Sequence, residues 1–372
     1  CGIYKSYQPE TSVPDNLFRE EAPDTDTTSI GNLDWRELFT DPQLQALIEK
    51  GLENNTDFRT AHLRVQEAEA ALMTSRLAYL PALNLTPQGT ISSFDGSKAA
   101  KSYQLAASAS WEIDIFGRLT NAKRSAQAAL EQTKSYKQAV RTQLIATIAN
   151  SYYTLLLLDK QLVISERTAS LWKENVQAMQ ALKKAGLTNE AAVSQSEANC
   201  LSVEASLLTL RQQINEMENS LSNLLGEVPQ RVERGNLDCQ EFPETLSTGV
   251  PLALLGNRPD VRQAEYSLAQ AFYTTNGARS AFYPNINLSG VAGWTNSGGG
   301  IIANPGGLLL QAIGSLTQPL FNKGANIAQL KIAKAQQEEA SLTFQQSILN
   351  AGSEVNNALT QWQTARGRIT LA

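Results

Sequence analysis

Strict alternation of apolar and polar residues marks two parts of the chain as β-hairpins. From residue 105 to 115 the odd positions are apolar and most even positions are polar, a period of two that is typical of a strand with one apolar face. Residues 83–94 supply the partner strand, and residues 286–294 and 308–320 repeat the arrangement around a glycine-rich loop at 296–307. At about nine to thirteen residues, these strands match the length of a tilted membrane-spanning strand.

A period of seven residues organises the region after the first hairpin. The a positions are Val193, Cys200, Leu207, Ile214 and Leu221, and the d positions are Ser196, Val203, Leu210, Met217 and Leu224. A heptad repeat held this long predicts a left-handed supercoil. Residues 118–184 keep a similar spacing, and a helix of that length would extend roughly 100 Å, far beyond a globular core helix. Gly186, with Lys183 and Lys184 just before it, is a C-cap signal, so the sequence predicts an antiparallel helical hairpin.

An internal repeat relates the two halves of the chain. Residues 57–61 match residues 260–264, residues 80–85 match 283–288, and residues 116–118 match 321–323 in the same order. Each unit is predicted to run from a helix through a break marked by Pro81 or Pro284 to two strands and a long helix. The sequence therefore predicts two structural repeats.

Composition excludes several classes of function. The chain has 372 residues, 18% of them charged, and a formal net charge of −5, which argues against nucleic acid as a partner. His62 is the single histidine, so a multi-histidine zinc site is excluded and any Ser-His or Cys-His pair would need that residue. No acid, base and nucleophile converge, so we expect neither an enzyme nor a bound cofactor. No apolar run reaches 18 residues, and no transmembrane helix is predicted.

The three cysteines are Cys1, Cys200 and Cys239, an odd number without metal-ligand spacing. Cys200 falls on the heptad seam. Bacterial lipoproteins begin with cysteine after signal cleavage, so Cys1 is a candidate lipidation site; an arbitrary chain boundary is the alternative. Residues 4–30 are rich in Pro, Asp, Glu, Thr and Ser and are predicted to form an extended arm.

The predicted sheet cannot be stable in lipid as a single copy. Each open edge would leave unpaired N–H and C=O groups in hydrocarbon, so other copies must close it. Four strands per chain allow a barrel of eight, twelve or sixteen strands from two, three or four copies. The result would be a hollow tube with a lipid-facing exterior and a polar interior that conducts solutes.

Four segments resemble signatures of the TolC-like outer-membrane factors. They are WRELFTDPQL at 35–44, WEIDIFGR at 111–118, RPDVRQAE at 258–265 and GARSAFYPNI at 277–286. The resemblance covers essentially the whole chain and, with Cys1, is greatest for the lipoprotein (OprM-like) branch that serves multidrug efflux pumps. It implies an α+β membrane protein of the bacterial outer membrane, lipid-anchored, whose homotrimer forms a twelve-stranded β-barrel that continues as an α-helical barrel across the periplasm.

The same resemblance implies the function and the partners. The expected function is a passive exit duct for drugs or other small molecules, which works with a periplasmic adaptor protein and an inner-membrane transporter. The same duct serving type I protein secretion or metal-ion efflux is an alternative. A pore-free periplasmic coiled-coil scaffold is a third reading, from the structural class, and the apolar strand face at 105–115 argues against it.

Site residues follow from matching motifs. The periplasmic tip that contacts the adaptor is expected at Gly186, Leu187, Thr188, Asn189 and Glu190. A plain C-cap turn explains the same residues. Ala192 stands where related sequences commonly carry Asp, and Glu190 is the carboxylate that could replace it.

Other motif residues have structural explanations. Arg258, Pro259 and Asp260 would start a helix with Asn257 as the N-cap, Pro259 early in the helix and Asp260 complementing the helix dipole. Glu112 and Asp114 share a strand face and are interpreted as lumen-facing polar residues rather than a catalytic pair.

These expectations divide the chain into eight segments. They are an acylated extended arm at 1–39, first-repeat helices at 40–82, a first membrane hairpin at 83–116, a long helical hairpin at 117–226, an equatorial linker at 227–256, a second-repeat helix at 257–283, a second membrane hairpin at 284–321, and a second long helix at 322–372. The repeat predicts that this last helix is truncated after Ala372, with about 80 further residues and a second tip beyond it.

Overall fold

The computed structural model describes residues 6–8, 34–240, 257–296 and 306–371. In chain order the elements are α1 (Trp35–Leu38), α2 (Pro42–Asn54), α3 (Thr56–Leu77), β1 (Ala82–Ser92), β2 (Ala100–Ile113), α4 (Arg118–Lys184), α5 (Glu190–Leu224), a 3₁₀ turn (Leu237–Cys239), α6 (Pro259–Ser280), β3 (Asn285–Asn296), β4 (Gly307–Thr317) and α7 (Ala325–Leu371). Both predicted hairpins and the long helices are present, and each repeat has the predicted order of helix, two strands and long helix.

The described residues form two compact units. One contains residues 6–8, 64–136, 257–296 and 306–371, and therefore the whole sheet. The other contains residues 34–63 and 137–240, and therefore most of α4 and all of α5.

The four strands form one antiparallel sheet in the order β1-β2-β3-β4. Leu105 of β2 lies opposite Pro87 of β1 on one side and Trp294 of β3 on the other. The β2–β3 pairing joins the two repeats. Strand β2 begins five residues earlier than the alternation suggested, because the ladder between β1 and β2 continues almost to the tight turn at Asp95, where φ is +49°.

The α4–α5 hairpin has the predicted seam. Val193, Ser196, Cys200 and Leu221 of α5 are buried, and the other six heptad positions are half-buried. The repeat of seven thus identifies the face of α5 that packs. Cys200 is buried and Cys239 is exposed, and both thiols are free.

Each unit has its own apolar core. The core of the second unit joins α2, α4 and α5 with the segment after α5; its buried residues are Leu44, Ile48, Leu144, Ile145, Ile148, Ala149, Tyr152, Leu155, Leu156, Leu221, Leu225 and Val232. The first unit has a cluster between α6 and α7, formed by Val261, Leu268, Phe344, Ile348 and Ala351, and a smaller one of Val65, Leu72 and Leu130. No helix within the described ranges is long and apolar enough to cross a bilayer.

Candidate functional site

One face of the sheet is apolar across all four strands. Because residues directly opposite in an antiparallel pair share a face, the register places the following side chains together: Leu83, Leu85, Pro87 and Ile91 from β1; Leu105, Ala107, Ala109, Trp111 and Ile113 from β2; Ile286, Leu288, Ala292 and Trp294 from β3; and Leu308, Leu310, Ala312 and Leu316 from β4. This face agrees with the predicted odd-numbered set in β2 and extends it to the whole sheet.

The opposite face is mostly polar and uncharged. It carries Asn84, Thr86, Gln88, Thr90, Ser92, Ser102, Gln104, Ser108, Ser110, Asn287, Ser289, Thr295, Gln311, Ser315 and Thr317. Ala106, Val291, Leu309 and Ile313 are apolar exceptions on this face. Such a surface can line a water-filled space without binding one particular ion strongly.

No segment within the described ranges covers either edge of the sheet. All eleven residues of β1 are exposed, and β4 at the other edge is exposed except for one half-buried residue. Leu310 of β4 is 70% exposed although it belongs to the apolar face. An exposed apolar face between two unpaired edges is unfavourable in water and requires edge partners in lipid.

Two carboxylates at the end of β2 hold the start of α4, and Glu112 lies opposite Asn287 on the polar face. Glu112 accepts hydrogen bonds from both Nε and Nη2 of Arg118, the first at 2.6 Å. Asp114 lies beyond the strand and accepts from the backbone N–H groups of Leu119 at 3.0 Å and Thr120 at 2.8 Å. Asp114 thus caps α4 and does not share the strand face with Glu112, because the unpaired N–H groups of the first helical turn attract its carboxylate. That both carboxylates face a lumen stays a prediction.

The five predicted tip residues lie in one turn between α4 and α5. Gly186 has φ +75°, its N–H donates to the Lys183 carbonyl at 3.0 Å, and the Leu187 N–H donates to the Leu182 carbonyl at 3.0 Å, as in a Schellman motif. The Asn189 Oδ1 accepts from the Ala192 N–H at 3.0 Å and caps α5. Thr188 completes the turn.

An ion pair joins the two helices at the tip, where the side chain of Leu187 is exposed to solvent. Lys183 of α4 forms an ion pair with Glu190 of α5. Leu187 is 75% exposed. The C-cap reading of the turn is confirmed by this geometry, whereas the adaptor contact stays a prediction.

The Arg258-Pro259-Asp260 motif starts α6, with one correction. Pro259 occupies the first helical turn, as predicted, but the N-cap is Arg258 and not Asn257. A residue before proline is driven to extended backbone, and Arg258 has φ −73° and ψ 122°. Pro81 and Pro284 directly precede β1 and β3 at the predicted breaks.

Arg258 also ties α6 to α7. Its guanidinium donates to Asp260 at 2.7 Å and to Glu354 of α7 at 2.5 Å. The hydrogen bond to Asp260 is the main reason that the pKa of Arg258 lies above its usual range, and Glu354 adds to it. Burial would raise the pKa of Asp260, but the hydrogen bond and the positive charge of Arg258, together with backbone hydrogen bonds, outweigh it and lower that pKa.

Sequence reasoning missed a charged cluster in the second unit. The Arg234 side chain is 9% exposed and donates to Asp159 of α4 at 2.9 Å and also to Glu218 of α5. The hydrogen bond to Asp159 raises the pKa of Arg234 above its usual range. The three residues are far apart in the sequence and match no spacing rule, so no signal identified them.

A second missed network joins the start of α2 to the same segment. The Tyr152 hydroxyl donates to Asp41 at 2.6 Å and accepts from the Gly235 N–H at 2.9 Å, while Gln240 donates to Asp41 at 2.8 Å. Burial would raise the pKa of Asp41, but the hydrogen bonds from Tyr152, from Gln240 and from two backbone N–H groups at the start of α2 together outweigh it, so that pKa lies below its usual value.

The remaining candidates from the sequence are His62, Cys1 and the glycine run. His62 is exposed, and its Nδ1 lies 3.0 Å from the Lys137 ammonium. No group of His, Cys, Asp or Glu within the described ranges could hold a metal ion. Cys1, most of the predicted arm and the glycine run at 298–300 lie outside the described residues.

Comparison with known proteins decides the family. The model of the family described as "Outer membrane efflux protein" matches residues 47–227 and 250–372. The chain belongs to this family. The resemblance to outer-membrane factors and the outer-membrane localisation are thereby confirmed.

Relatives and solved structures cover nearly the whole chain. The "Cation efflux system protein CusC" of Escherichia coli O157:H7 is 29% identical over 379 residues, covering 100% of this chain and 82% of the relative. The "Probable outer membrane lipoprotein SilC" of Salmonella typhimurium is 28% identical over 332 residues, covering 87% of this chain and 71% of SilC.

Two solved channels have the same fold. The open state of the Neisseria gonorrhoeae MtrE outer membrane channel gives a TM-score of 0.87 at 28% identity over 100% of this chain and 84% of MtrE. A crystal structure of CusC gives 0.86 at 28% identity over 100% and 85%. The predicted fold of an outer-membrane efflux channel subunit, with long helices and four strands per chain, is confirmed for this family member.

Proposed function

We propose that three copies of this chain pool their sheet edges into a twelve-stranded barrel, which serves as the passive exit duct of a tripartite efflux pump. The observation that carries the proposal is the sheet itself, which has one continuous apolar face, one polar face and two uncovered edges. Joining β4 of one copy to β1 of the next would satisfy every edge and place the apolar face in lipid.

The family resemblance implies three copies, and the expected lumen of twelve strands is compatible with that number. A barrel of about eight strands is filled by its own side chains, and sixteen or more leave a wide open channel. Twelve strands give an interior between these cases, lined by the Asn, Gln, Ser and Thr side chains of the polar face. The family resemblance favours the same number.

The helical hairpin also has surfaces for neighbouring copies. Leu157, Ile164 and Leu171 of α4 are exposed and spaced by seven residues, as are Leu201 and Leu208 of α5. These stripes are separate from the seam within the hairpin. Apolar positions with heptad spacing are what a neighbouring helix would bury, which supports helices that continue the tube outside the membrane.

The periplasmic partners would act at the turn between α4 and α5. The exposed Leu187 and the rigid Schellman turn support an adaptor contact there, and an inner-membrane transporter would supply the energy and the cargo. Acylation of Cys1 belongs to the same proposal, supported by the name of the relative SilC. Replacing Cys1 with Ser should abolish labelling by a radioactive fatty acid and leave the oligomer intact.

The cargo would be selected upstream of the duct. Names of relatives include a cation efflux protein, a toluene efflux protein and a pyoverdine export protein, which differ widely in cargo. Metal-cation efflux is a second candidate because the alignment with CusC covers the whole chain. Co-expression with a cation pump or a drug pump, each with its adaptor, and measurement of tolerance to the matching cargo would separate the two.

The decisive experiment uses two adjacent positions on β4. Leu310→Arg places a charge on the apolar face at a cost of about 2–4 kcal/mol per copy in lipid, whereas Gln311→Arg places the same charge on the polar face. Wild type should give a three-copy particle by mass and steady ion conductance in planar bilayers. Leu310→Arg should lose membrane-inserted trimers.

Gln311→Arg is the matched control and should keep trimers while shifting the channel toward anion selectivity. A wild-type particle that stays monomeric, or loss of insertion by both variants alike, would contradict the proposal.

A further inference from the structure

The apolar face of the sheet ends in an ordered series of side chains on β2. Moving toward the hairpin turn, Leu105 is followed on the same face by Tyr103 and then by Lys101, which lies opposite Ile91 of β1. The Tyr103 hydroxyl lies close to Gly306, since a Cβ added there would be 2.8 Å from it. An apolar residue, an amphipathic aromatic residue and a cation thus follow one another within one strand.

The length of this face fits a bilayer. From Ile113 to Leu105 the uninterrupted apolar rows cover eight residue steps, or about 27 Å along the strand, close to the roughly 25 Å apolar band of membrane barrels. Ile91 lies beyond these rows, opposite Lys101. Trp111 stands near one limit of the band and Trp294, opposite Leu105, at the other. Tryptophan prefers the interface between hydrocarbon and headgroups, so these residues indicate the two surfaces of the bilayer.

Charge is unequal between the two ends. Residues 82–113 and 285–317 contain four charged residues, Asp95, Lys98, Lys101 and Glu112. Glu112 is paired with Arg118 at the helix end. At the hairpin end, Lys101 lies on the lipid-facing side, and no carboxylate in the described part of the chain forms an ion pair with it. Lys98 lies in the turn and not on this face.

We propose that Lys101 binds the headgroup phosphate of an anionic lipid in the leaflet on the hairpin side. Its aliphatic stem would lie along Tyr103 and Ile91 while its ammonium reaches the phosphate level, the snorkelling arrangement of lysine at an interface. This inference rests on the proposed function, because it needs the apolar face to be in lipid. It gives the barrel a fixed depth and a lipid preference.

The test measures lipid bound to the purified oligomer. Short-chain phosphatidylglycerol and phosphatidylcholine are titrated against the detergent-solubilised trimer, and bound lipid is counted by native mass spectrometry. One lysine–lipid contact is expected to favour the anionic lipid about five-fold. Lys101→Gln should abolish this preference, and Lys101→Arg should keep it.

The matched control is Lys98→Gln, which removes the same charge at the same end of the sheet. It should leave the preference unchanged. Equal losses in both variants, or wild-type binding by Lys101→Gln, would overturn the lipid site. Displacement of the lipid by equimolar inorganic phosphate would also overturn it, because the site would then recognise a free anion.

Conductance separates this inference from the function on which it rests. Lys101→Gln trimers should conduct ions as wild type does. Intact conductance without any lipid preference removes only the lipid site, whereas a wild-type oligomer that does not conduct removes the proposed duct.

Discussion

The core of the second unit buries its apolar side chains within the chain, whereas the sheet leaves nearly all of its apolar side chains at least partly exposed. Tyr152 and eleven other buried residues pack against one another, whereas Ala106, at 3% exposure, is the one buried hydrophobic residue among the described strands. The helical core therefore satisfies itself within one chain. The sheet gains nothing comparable from the described part of its own chain, and under the proposed function lipid and neighbouring copies would stabilise it.

Two substitutions by alanine test this difference in burial most directly. Ile148→Ala removes a fully buried side chain and should cost about 4 kcal/mol, toward the upper end for such cavities. Leu310→Ala, on the exposed sheet face, should change the unfolding free energy by less than about 0.5 kcal/mol. Urea unfolding followed by far-ultraviolet circular dichroism measures both. Equal costs would show that the sheet is packed within one chain.

Within the helical region, removing a buried arginine should destabilise the fold more than removing an exposed one. Arg234→Met should destabilise by about 3 kcal/mol, because Asp159 and Glu218 lose their partner and Glu218 is buried. Arg211→Met breaks the exposed pair with Glu166 and should cost less than about 1 kcal/mol. Chemical denaturation of both variants checks the difference, and similar losses would contradict a structural role for Arg234.

At position 186, in the turn between α4 and α5, asparagine should be tolerated better than alanine. Gly186 has φ +75°, so Gly186→Ala should cost about 1 kcal/mol, and Gly186→Asn should cost less because asparagine tolerates this conformation. The adaptor contact predicts, in addition, weaker adaptor binding by Gly186→Ala in a pull-down assay. Unchanged thermal unfolding in Gly186→Ala would indicate that the turn relaxes freely.

The smallest expected effect is on the stability of the fold at low pH. Because the folded pKa of Asp41 lies below its ordinary value of 3.8, its hydrogen bonds stabilise the fold fully above that value, and this contribution is lost as the pH falls through the folded pKa. Asp41→Asn should therefore flatten the decline in stability below about pH 4. Denaturation midpoints at pH 3 and pH 7 measure it. An identical decline in wild type and variant would assign the acid sensitivity to other groups.

The sequence alone determined the elements and their faces. A period of two in residues 105–115 and a period of seven in α5 report which side chains share a surface, because side-chain direction is a local property of strands and helices. The internal repeat then predicted two hairpins, and the glycine at 186 predicted the turn.

Tertiary structure decided the partners across long separations. Arg234 with Asp159 and Glu218, the bonds of Tyr152 to Asp41 and Gly235, and the bridge from Arg258 to Glu354 follow no local spacing. Such contacts depend on which elements meet in space, and periodicity along the chain does not encode that.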